Sequence, residues 1–133
     1  MKSRRKGITI AFMLTTLLAL SGDIVSAQRG TSIVSRISFA RGRTTAVLTG
    51  TVHRGMSHDY LLKARRGQNM SVHLNARGAV AFDILSPAGD LVAQYSKDWS
   101  GELPQSGDYR INVLPDTTTE RTISYTLEVT VRN

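Results

Sequence analysis

Serine, histidine and aspartate side chains are all present, so a hydrolytic triad is the first chemistry to consider. Such a triad needs a nucleophile, a base within hydrogen-bond reach and an acid that orients the base. The sequence has no G-x-S-x-G elbow, in which a strained strand-to-helix turn exposes the serine. His53, His58 and His73 fall within polar alternation at strands or strand ends. We therefore interpret the histidines as solvated surface residues and predict that the chain is not an enzyme.

Metal, phosphate and glycoside chemistry lack a suitable set of residues as well. Metal ligands usually form compact clusters with defined spacing, and His53 with the pair His58-Asp59 matches such a cluster poorly. A glycosidase needs two carboxylates that face a sugar cleft, but the acidic residues here are scattered. No glycine cluster precedes a helix, as a phosphate-binding loop requires. We predict no catalytic residues, no cofactor and no metal site.

The chain has 133 residues, with 17 lysines and arginines against 10 acidic residues, and it contains no cysteine. That length supports one domain, and the missing cysteine excludes disulfides, thiolate zinc sites and cysteine nucleophiles. Arg41 and Arg43 form one basic cluster and Lys63, Arg65 and Arg66 another, without aromatic residues between them to stack on bases. We predict that the chain does not bind nucleic acid. A solvated basic face of this kind favours an anionic polymer or an acidic protein patch.

The first 27 residues have the three-part layout of a secretory signal peptide. A basic start precedes an apolar run over residues 8–20, and Val25-Ser26-Ala27 supplies the small residues that a signal peptidase accepts. The run is about 13 residues long and a bilayer span needs roughly 20, so we predict no stable membrane anchor. We expect a signal peptide at 1–27, a flexible leader at 28–34 and a periplasmic domain at 35–133. Cleavage removes four basic residues and one aspartate and lowers the net charge from +7 to +4.

Apolar residues in the remaining chain recur at every second position, which is the period of a strand with one buried face. The clearest runs begin at Met70, Tyr109 and Tyr125. Turn signals separate such runs at intervals of about 8–12 residues, which is typical of a sandwich or barrel. We predict an all-β domain that forms a single antiparallel β-sandwich, jelly-roll-like, with about eight strands. The predicted strands span residues 35–41, 45–53, 58–65, 69–77, 79–86, 91–96, 107–114 and 122–132, with a weak strand near 99–103.

One turn differs from the others in its residues, Leu103-Pro104-Gln105-Ser106-Gly107-Asp108-Tyr109. Pro104 and Gly107 restrict the backbone on either side of Ser106, so the serine hydroxyl can be presented at low entropic cost. The same residues fit an ordinary strand corner in which Tyr109 only covers the core. The residues by themselves leave both interpretations open.

The order of several motifs resembles the bacterial pre-peptidase C-terminal-like β-sandwich. It is more similar to the small stand-alone members of that group, the periplasmic inhibitors of animal g-type lysozyme (PliG) and i-type lysozyme (PliI). The resemblance covers residues 36–132, nearly the whole predicted domain. Its Ala-x-x-Gly-Gln-x-x-x-Val motif is shared across the wider superfamily and bears on the fold, whereas Ser-Gly-x-Tyr bears on function. The motifs are Phe39-Ala40-Arg41-Gly42, Leu48-Thr49-Gly50-Thr51-Val52, Ala64-Arg65-Arg66-Gly67-Gln68-Asn69-Met70-Ser71-Val72, Ile84-Leu85-Ser86-Pro87-Ala88-Gly89, Ser106-Gly107-Asp108-Tyr109 and Tyr125-Thr126-Leu127.

The resemblance implies that the Ser-Gly-x-Tyr loop enters the active-site cleft of a lysozyme. Ser106 would hydrogen-bond a catalytic carboxylate of the enzyme, with Gly107 in the same loop and Tyr109 supporting or contacting it. Arg110 is a candidate supporting contact that adds attraction, and Arg121 is the counterpart of an arginine- and asparagine-rich stretch before the last strand. We predict a periplasmic inhibitor of g-type or i-type lysozyme. The alternative is a non-catalytic envelope-binding module with a carbohydrate or protein ligand, and no oligomeric state is predicted.

Overall fold

Nine β-strands form the regular structure of the computed structural model, which describes residues 30–116 and 121–133. The predicted signal peptide, the first two residues of the predicted leader and residues 117–120 before the last strand lie outside the described residues. Within the described ranges there is no helix that is long and apolar enough to cross a membrane. The strands are β1 (Thr31–Arg36), β2 (Thr45–Val52), β3 (Met56–Ala64), β4 (Asn69–Ala76), β5 (Val80–Leu85), β6 (Leu91–Ser96), β7 (Asp98–Glu102), β8 (Gly107–Pro115) and β9 (Ile123–Arg132).

The strands pack as two sheets. Sheet 1 has the order β1-β3-β8-β5-β6, and sheet 2 has the order β2-β9-β4-β7. All pairings among β2 to β9 are antiparallel, and most connections between consecutive strands cross from one sheet to the other. Eight strands connected in this way form two Greek keys, which is the topology of a jelly roll. The predicted all-β sandwich is confirmed.

Alternation along the strands explains why the two sheets face each other. In β9, every second residue from Ile123 to Val131 is buried, while the residues between them are exposed or half-buried. β4 alternates in the same way beside β9, with Val72 opposite Val129. Apolar side chains of both inner faces thereby form one core, whose burial is the main favourable contribution to folding. The large side chains that are fully buried there include Tyr60, Tyr109, Phe82, Leu62, Met70, Ile84, Leu103, Ile111 and Leu127.

The first strand differs from the prediction. β1 begins in the stretch predicted as a flexible leader, residues 28–34, and ends two residues into the strand predicted at 35–41, which is absent beyond Arg36. β1 pairs in parallel with β3, from Thr31 opposite Met56 to Arg36 opposite Leu61. Nearly all of its side chains are exposed, so it lacks the alternation that reveals a strand with a buried face. β1 could not be predicted from the sequence, because backbone pairing and a few polar contacts hold this edge strand and leave no pattern of apolar residues.

A polar cluster closes the side of the sandwich where β1 and β2 lie. Tyr60 on β3 and Tyr125 on β9 belong to different sheets, and their hydroxyl oxygens are 2.7 Å apart. His58 Nδ1 lies 3.2 Å from the Tyr60 hydroxyl and 3.0 Å from the Tyr125 hydroxyl, while its Nε2 lies 2.9 Å from Ser35 Oγ on β1. The His58 ring also stacks on Tyr60, with 4.1 Å between the ring centres. These contacts join β1 to both sheets.

Gly50 makes room for this cluster. It lies opposite Tyr125 in the register of β2 and β9, and a Cβ built on it would be 2.5 Å from the Tyr125 hydroxyl oxygen. Any side chain at this position would therefore displace the phenol from its partners. The prediction of three solvated histidines is correct for His53 and His73 but wrong for His58, which is half-buried. The contacts that bury His58 come from strands distant in sequence.

Burial favours the uncharged forms of the side chains in this cluster. It lowers the pKa of His58, although the charge of Asp59 opposes that shift. Burial also raises the pKa of Tyr60, against the effect of its hydrogen bond with Tyr125. For Tyr125, burial and the hydrogen bond with Tyr60 both raise the pKa. Neutral phenols and a neutral imidazole are the forms that this hydrogen-bond network accommodates.

We expect the free energy of unfolding to fall as the pH decreases from about 7.5 to 5, with a contribution from His58. Because the pKa of His58 is lower in the folded state, its stabilising contribution is complete above the unfolded-state pKa of about 6.5 and is lost as the unfolded chain takes up the proton. Urea unfolding of the wild type and of His58→Asn across this range measures the effect. The variant should be less stable at the higher pH and less sensitive to acid. Identical pH slopes for the two proteins would contradict the assignment.

Candidate functional site

The Ser106 loop, residues 103–107, connects β7 of sheet 2 to β8 of sheet 1. Its first residue, Leu103, is buried and is bonded through its backbone to the turn between β3 and β4. Gly67 N donates to Leu103 O at 2.9 Å, and Leu103 N donates to Gln68 O at 2.8 Å. These two hydrogen bonds hold the first residue of the loop against the turn between β3 and β4.

Tyr109 supports the loop from the core. Its side chain is fully buried, and its hydroxyl donates to Gln105 O at 2.7 Å while accepting from Gln105 N at 3.1 Å. A tyrosine that bonds back to the backbone a few residues upstream recurs at corners of β-sandwiches, where it fixes the path of the chain. The Tyr109 hydroxyl has both bonds directed to the loop. This position is consistent with the supporting role that the resemblance implies for Tyr109. Because its side chain is fully buried, Tyr109 has no exposed surface that could contact an enzyme directly.

Gly107 has a backbone conformation that favours glycine. Its φ is +137°, and a Cβ built on it would lie 2.9 Å from Cβ of Pro87 in the turn after β5. A larger residue would strain the backbone and push the Ser106 loop away from Pro87. Gly107 thus determines how closely the loop packs on the neighbouring turn.

Ser106 is exposed, as is Pro104 in the same loop. Its Oγ accepts a hydrogen bond from Arg66 N at 2.8 Å, and no acceptor among the described residues takes the proton of its hydroxyl. A hydroxyl oxygen that already accepts a hydrogen bond is a better donor through its own proton, because linked hydrogen bonds polarise one another. The site therefore presents to solvent a hydroxyl whose oxygen is held in place and whose proton can be donated. An ionised carboxylate is the acceptor that would bind it most strongly.

An ion pair neutralises the carboxylate nearest the loop in sequence. Asp108 receives two hydrogen bonds from the Arg36 guanidinium, each 2.9 Å long, across the intervening strand β3. The hydrogen bond from Arg36 holds the pKa of Asp108 below its usual value. The pair is exposed, so its contribution to stability is small. Its main effect is that the Asp108 charge is compensated beside Ser106.

Arg110 lies on the same outer face of β8, further along the strand. Its guanidinium is 3.6 Å from Asp59, a buried carboxylate on β3. Asp59 also accepts hydrogen bonds from Ser32 on β1, at 3.0 Å, and from Asn112 on β8. Arg110 is therefore engaged in a polar network on sheet 1, although it remains exposed enough to reach a partner.

Arg121 lies at the opposite end of the sandwich from Ser106. β8 begins at Gly107 and runs for nine residues to Pro115, and Arg121 follows the connection that leaves this far end. At a rise of about 3.3 Å per residue, β8 alone separates the two by roughly 25 Å. The structure brings Ser106, Gly107 and Tyr109 together and leaves Arg121 apart. The supporting role of Arg121 stays a prediction, and in this structure it would require a contact separate from the one made by Ser106.

The histidines and acids do not assemble a reactive centre in the part of the chain that the structure describes. His73 pairs with Asp98 at the exposed edge of sheet 2, and His53 bonds to the backbone oxygen of Arg54. No group of three metal-binding side chains occurs among the described residues. The groups that the site exposes are the Ser106 hydroxyl and nearby arginine side chains.

Sequence reasoning missed the role of the turn between β3 and β4. Arg65, Arg66 and Gln68 belong to the Ala-x-x-Gly-Gln motif, which bears on the fold, and the sequence predicts that the basic residues form a solvated face. In the structure this turn is the direct neighbour of the Ser106 loop. The available signal was the basic cluster itself, but nothing in the sequence shows which loop it approaches.

Solved structures with the same fold belong to the PliG proteins. PliG of Aeromonas hydrophila, a periplasmic lysozyme inhibitor of g-type lysozyme, aligns with a TM-score of 0.71 and 23% identity, covering 76% of this chain and 97% of that one. PliG of Salmonella Typhimurium aligns with a TM-score of 0.66 and 20% identity, covering 77% and 100%. A PliG mutant from Escherichia coli aligns with a TM-score of 0.62 and 20% identity, covering 76% and 98%.

No protein-family model matches the chain, and no curated protein matches it in sequence. The similarity therefore resides in the three-dimensional arrangement, which spans nearly the entire length of each PliG structure. The resemblance noted from the motifs is confirmed at the level of fold.

We expect Tyr109→Phe to lower the free energy of unfolding by about 1–2 kcal/mol, because it removes two hydrogen bonds from a buried site. Urea denaturation measures the loss, and hydrogen exchange at the Gln105 amide should become faster. Tyr95→Phe is the matched control, since the Tyr95 side chain is half exposed and it should change stability by less than about 0.5 kcal/mol. Equal effects of the two substitutions would mean that the Tyr109 hydroxyl does not hold the loop.

Proposed function

We propose that this chain is a periplasmic, non-catalytic inhibitor of lysozyme that inserts the Ser106 loop into the active-site cleft of the enzyme. The observation that carries the proposal is the Ser106 hydroxyl, which is exposed, anchored through Arg66 N and free to donate its proton. The shared fold with PliG proteins, which inhibit g-type lysozyme, supports this assignment and favours the g-type enzyme as the target.

The chemistry of a lysozyme cleft suits this donor. Glycosidases of this kind place acidic residues around the scissile bond, and an ionised carboxylate is a strong acceptor once water is excluded. A loop that is rigid before binding loses little conformational entropy when it docks. Tyr109, Gly107 and the bonds to Leu103 supply that rigidity. In this mechanism Ser106 makes the contact, and Tyr109 acts as a positioning residue.

Inhibition needs no reaction by the inhibitor itself. Occupying the cleft excludes the glycan, and a hydrogen bond to a catalytic carboxylate keeps that group from its role in bond cleavage. The predicted signal peptide supports a location in the periplasm, where an inhibitor would meet a lysozyme that attacks the cell wall. The i-type enzymes remain the second class to test.

We expect Ser106→Ala to weaken inhibition of g-type lysozyme about 10- to 100-fold, which corresponds to the loss of about 1.5–3 kcal/mol for a hydrogen bond to a charged group. Titration of enzyme activity with the purified mature protein gives the inhibition constant. Stability should change by less than about 1 kcal/mol, because water can replace the exposed hydroxyl. Ser124→Ala, an exposed serine at the start of β9 near the opposite end of the sandwich, is the matched control and should inhibit like the wild type.

Three classes of lysozyme distinguish the proposal from its alternative. Inhibition of the g-type or i-type enzyme at near-stoichiometric ratios supports it. If g-type, i-type and c-type enzymes all remain active, the proposal fails. Saturable retention on peptidoglycan or on an envelope extract, without any inhibition, would instead identify an envelope-binding module.

A further inference from the structure

The turn between β3 and β4, residues 65–68, forms one continuous surface with the Ser106 loop. Three backbone N–H groups connect them: Arg66 N donates to Ser106 Oγ at 2.8 Å, Gly67 N to Leu103 O at 2.9 Å, and Leu103 N to Gln68 O at 2.8 Å. The turn is closed internally as well, since Arg65 N donates to the Gln68 side chain at 2.8 Å. Any protein that covers Ser106 must therefore also approach this turn.

The backbone of Arg66 is hydrogen-bonded directly to the Ser106 side chain. Because its backbone nitrogen bonds to Ser106 Oγ, its Cα lies within about 4.5 Å of that oxygen. Its side chain is exposed, and its guanidinium has no ion-pair or hydrogen-bond partner among the described residues. Arg65, by contrast, bonds to the side chain of Asn133 at 2.9 Å. Arg66 is thus an unengaged planar donor beside the exposed hydroxyl.

Charge around the two elements is predominantly positive. Lys63, Arg65 and Arg66 are exposed on or next to the turn, whereas Asp108 is already neutralised by Arg36. Other carboxylates border this end, such as Asp90 in the turn after β5 and Glu102 at the end of β7. Arg66 nevertheless offers an anionic surface a cation that no acidic side chain of the described residues engages.

We propose that the 65–68 turn is the second half of the inhibitory surface, and that the Arg66 guanidinium pairs with a carboxylate of the target enzyme beside the group bound by Ser106. This inference rests on the proposed function and specifies its partner as an acidic protein cleft. A planar guanidinium can donate two parallel hydrogen bonds to a carboxylate, which gives orientation as well as attraction. Opposite charge across an interface accelerates association more than it strengthens the final complex, and salt weakens the effect.

Association kinetics with g-type lysozyme test the proposal. Stopped-flow or surface-plasmon measurements at low and high ionic strength should give a wild-type association rate constant that falls as salt increases. Arg66→Glu should lower that rate constant about 3- to 10-fold at low salt and reduce its salt dependence. Arg66→Lys keeps the charge but loses the planar fork, so it should associate at nearly the wild-type rate and dissociate faster.

Arg77→Glu is the matched control for the charge reversal. Arg77 is an exposed arginine immediately after β4, at the opposite end of the sandwich from residues 65–68. Both variants change the net charge by the same amount, so a difference between them reports the position of the charge rather than its sum. Thermal unfolding of each variant confirms that the fold is retained, as expected for exposed side chains in turns.

The outcomes separate this inference from the function on which it rests. If the wild type inhibits but Arg66→Glu associates like Arg77→Glu, the pairing of Arg66 is overturned and the inhibitory function stands. An association rate that rises with salt would overturn the acidic partner as well. If the wild type inhibits no lysozyme, both proposals fail. Selective slowing by Arg66→Glu, with normal rates for Arg77→Glu, supports the inference.

Discussion

The buried ring of Tyr109 joins the hydrophobic core to the loop that presents Ser106. Its ring packs between the sheets, while its hydroxyl satisfies both backbone groups of Gln105. A buried hydroxyl needs such partners, because an unsatisfied one costs free energy. The core can therefore hold this tyrosine only if the loop keeps the conformation that returns its backbone to the hydroxyl. The packing of the core and the conformation of the Ser106 loop thus depend on the same side chain.

The cluster of Tyr60, Tyr125 and His58 also provides partners for buried hydroxyl groups, at another place in the sandwich. Tyr60 and Tyr125 direct their hydroxyls to each other and to His58, at the side of the sandwich closed by β1. There the polar side chains satisfy one another. At Tyr109 the polar groups are supplied by the loop backbone, so the loop gains rigidity. Two buried tyrosine arrangements therefore stabilise the fold, and one of them also holds the loop that we propose as the binding surface.

Charge is arranged so that the exposed hydroxyl has cations beside it. Arg36 compensates Asp108, and Asp59 engages Arg110 on the outer face of sheet 1, whereas Arg66 has no acidic partner among the described residues. An unpaired guanidinium next to a free O–H donor matches the chemistry of a carboxylate-lined cleft. The pairing pattern, rather than the net charge of the chain, determines which face carries cations without an acidic partner among the described residues.

The sequence by itself determined the fold class and the identity of the loop. Period-two alternation in runs such as the one from Tyr125 predicts β9, because a strand with one buried face must repeat every two residues. Pro104, Ser106 and Gly107 likewise marked a restricted turn, since local residue types limit the backbone directly. β1 was missed because an exposed edge strand carries no periodic signal. Only the tertiary structure decided that Arg66 lies beside Ser106 and that Arg121 does not, because these neighbours are set by how the two sheets stack and not by any spacing along the chain.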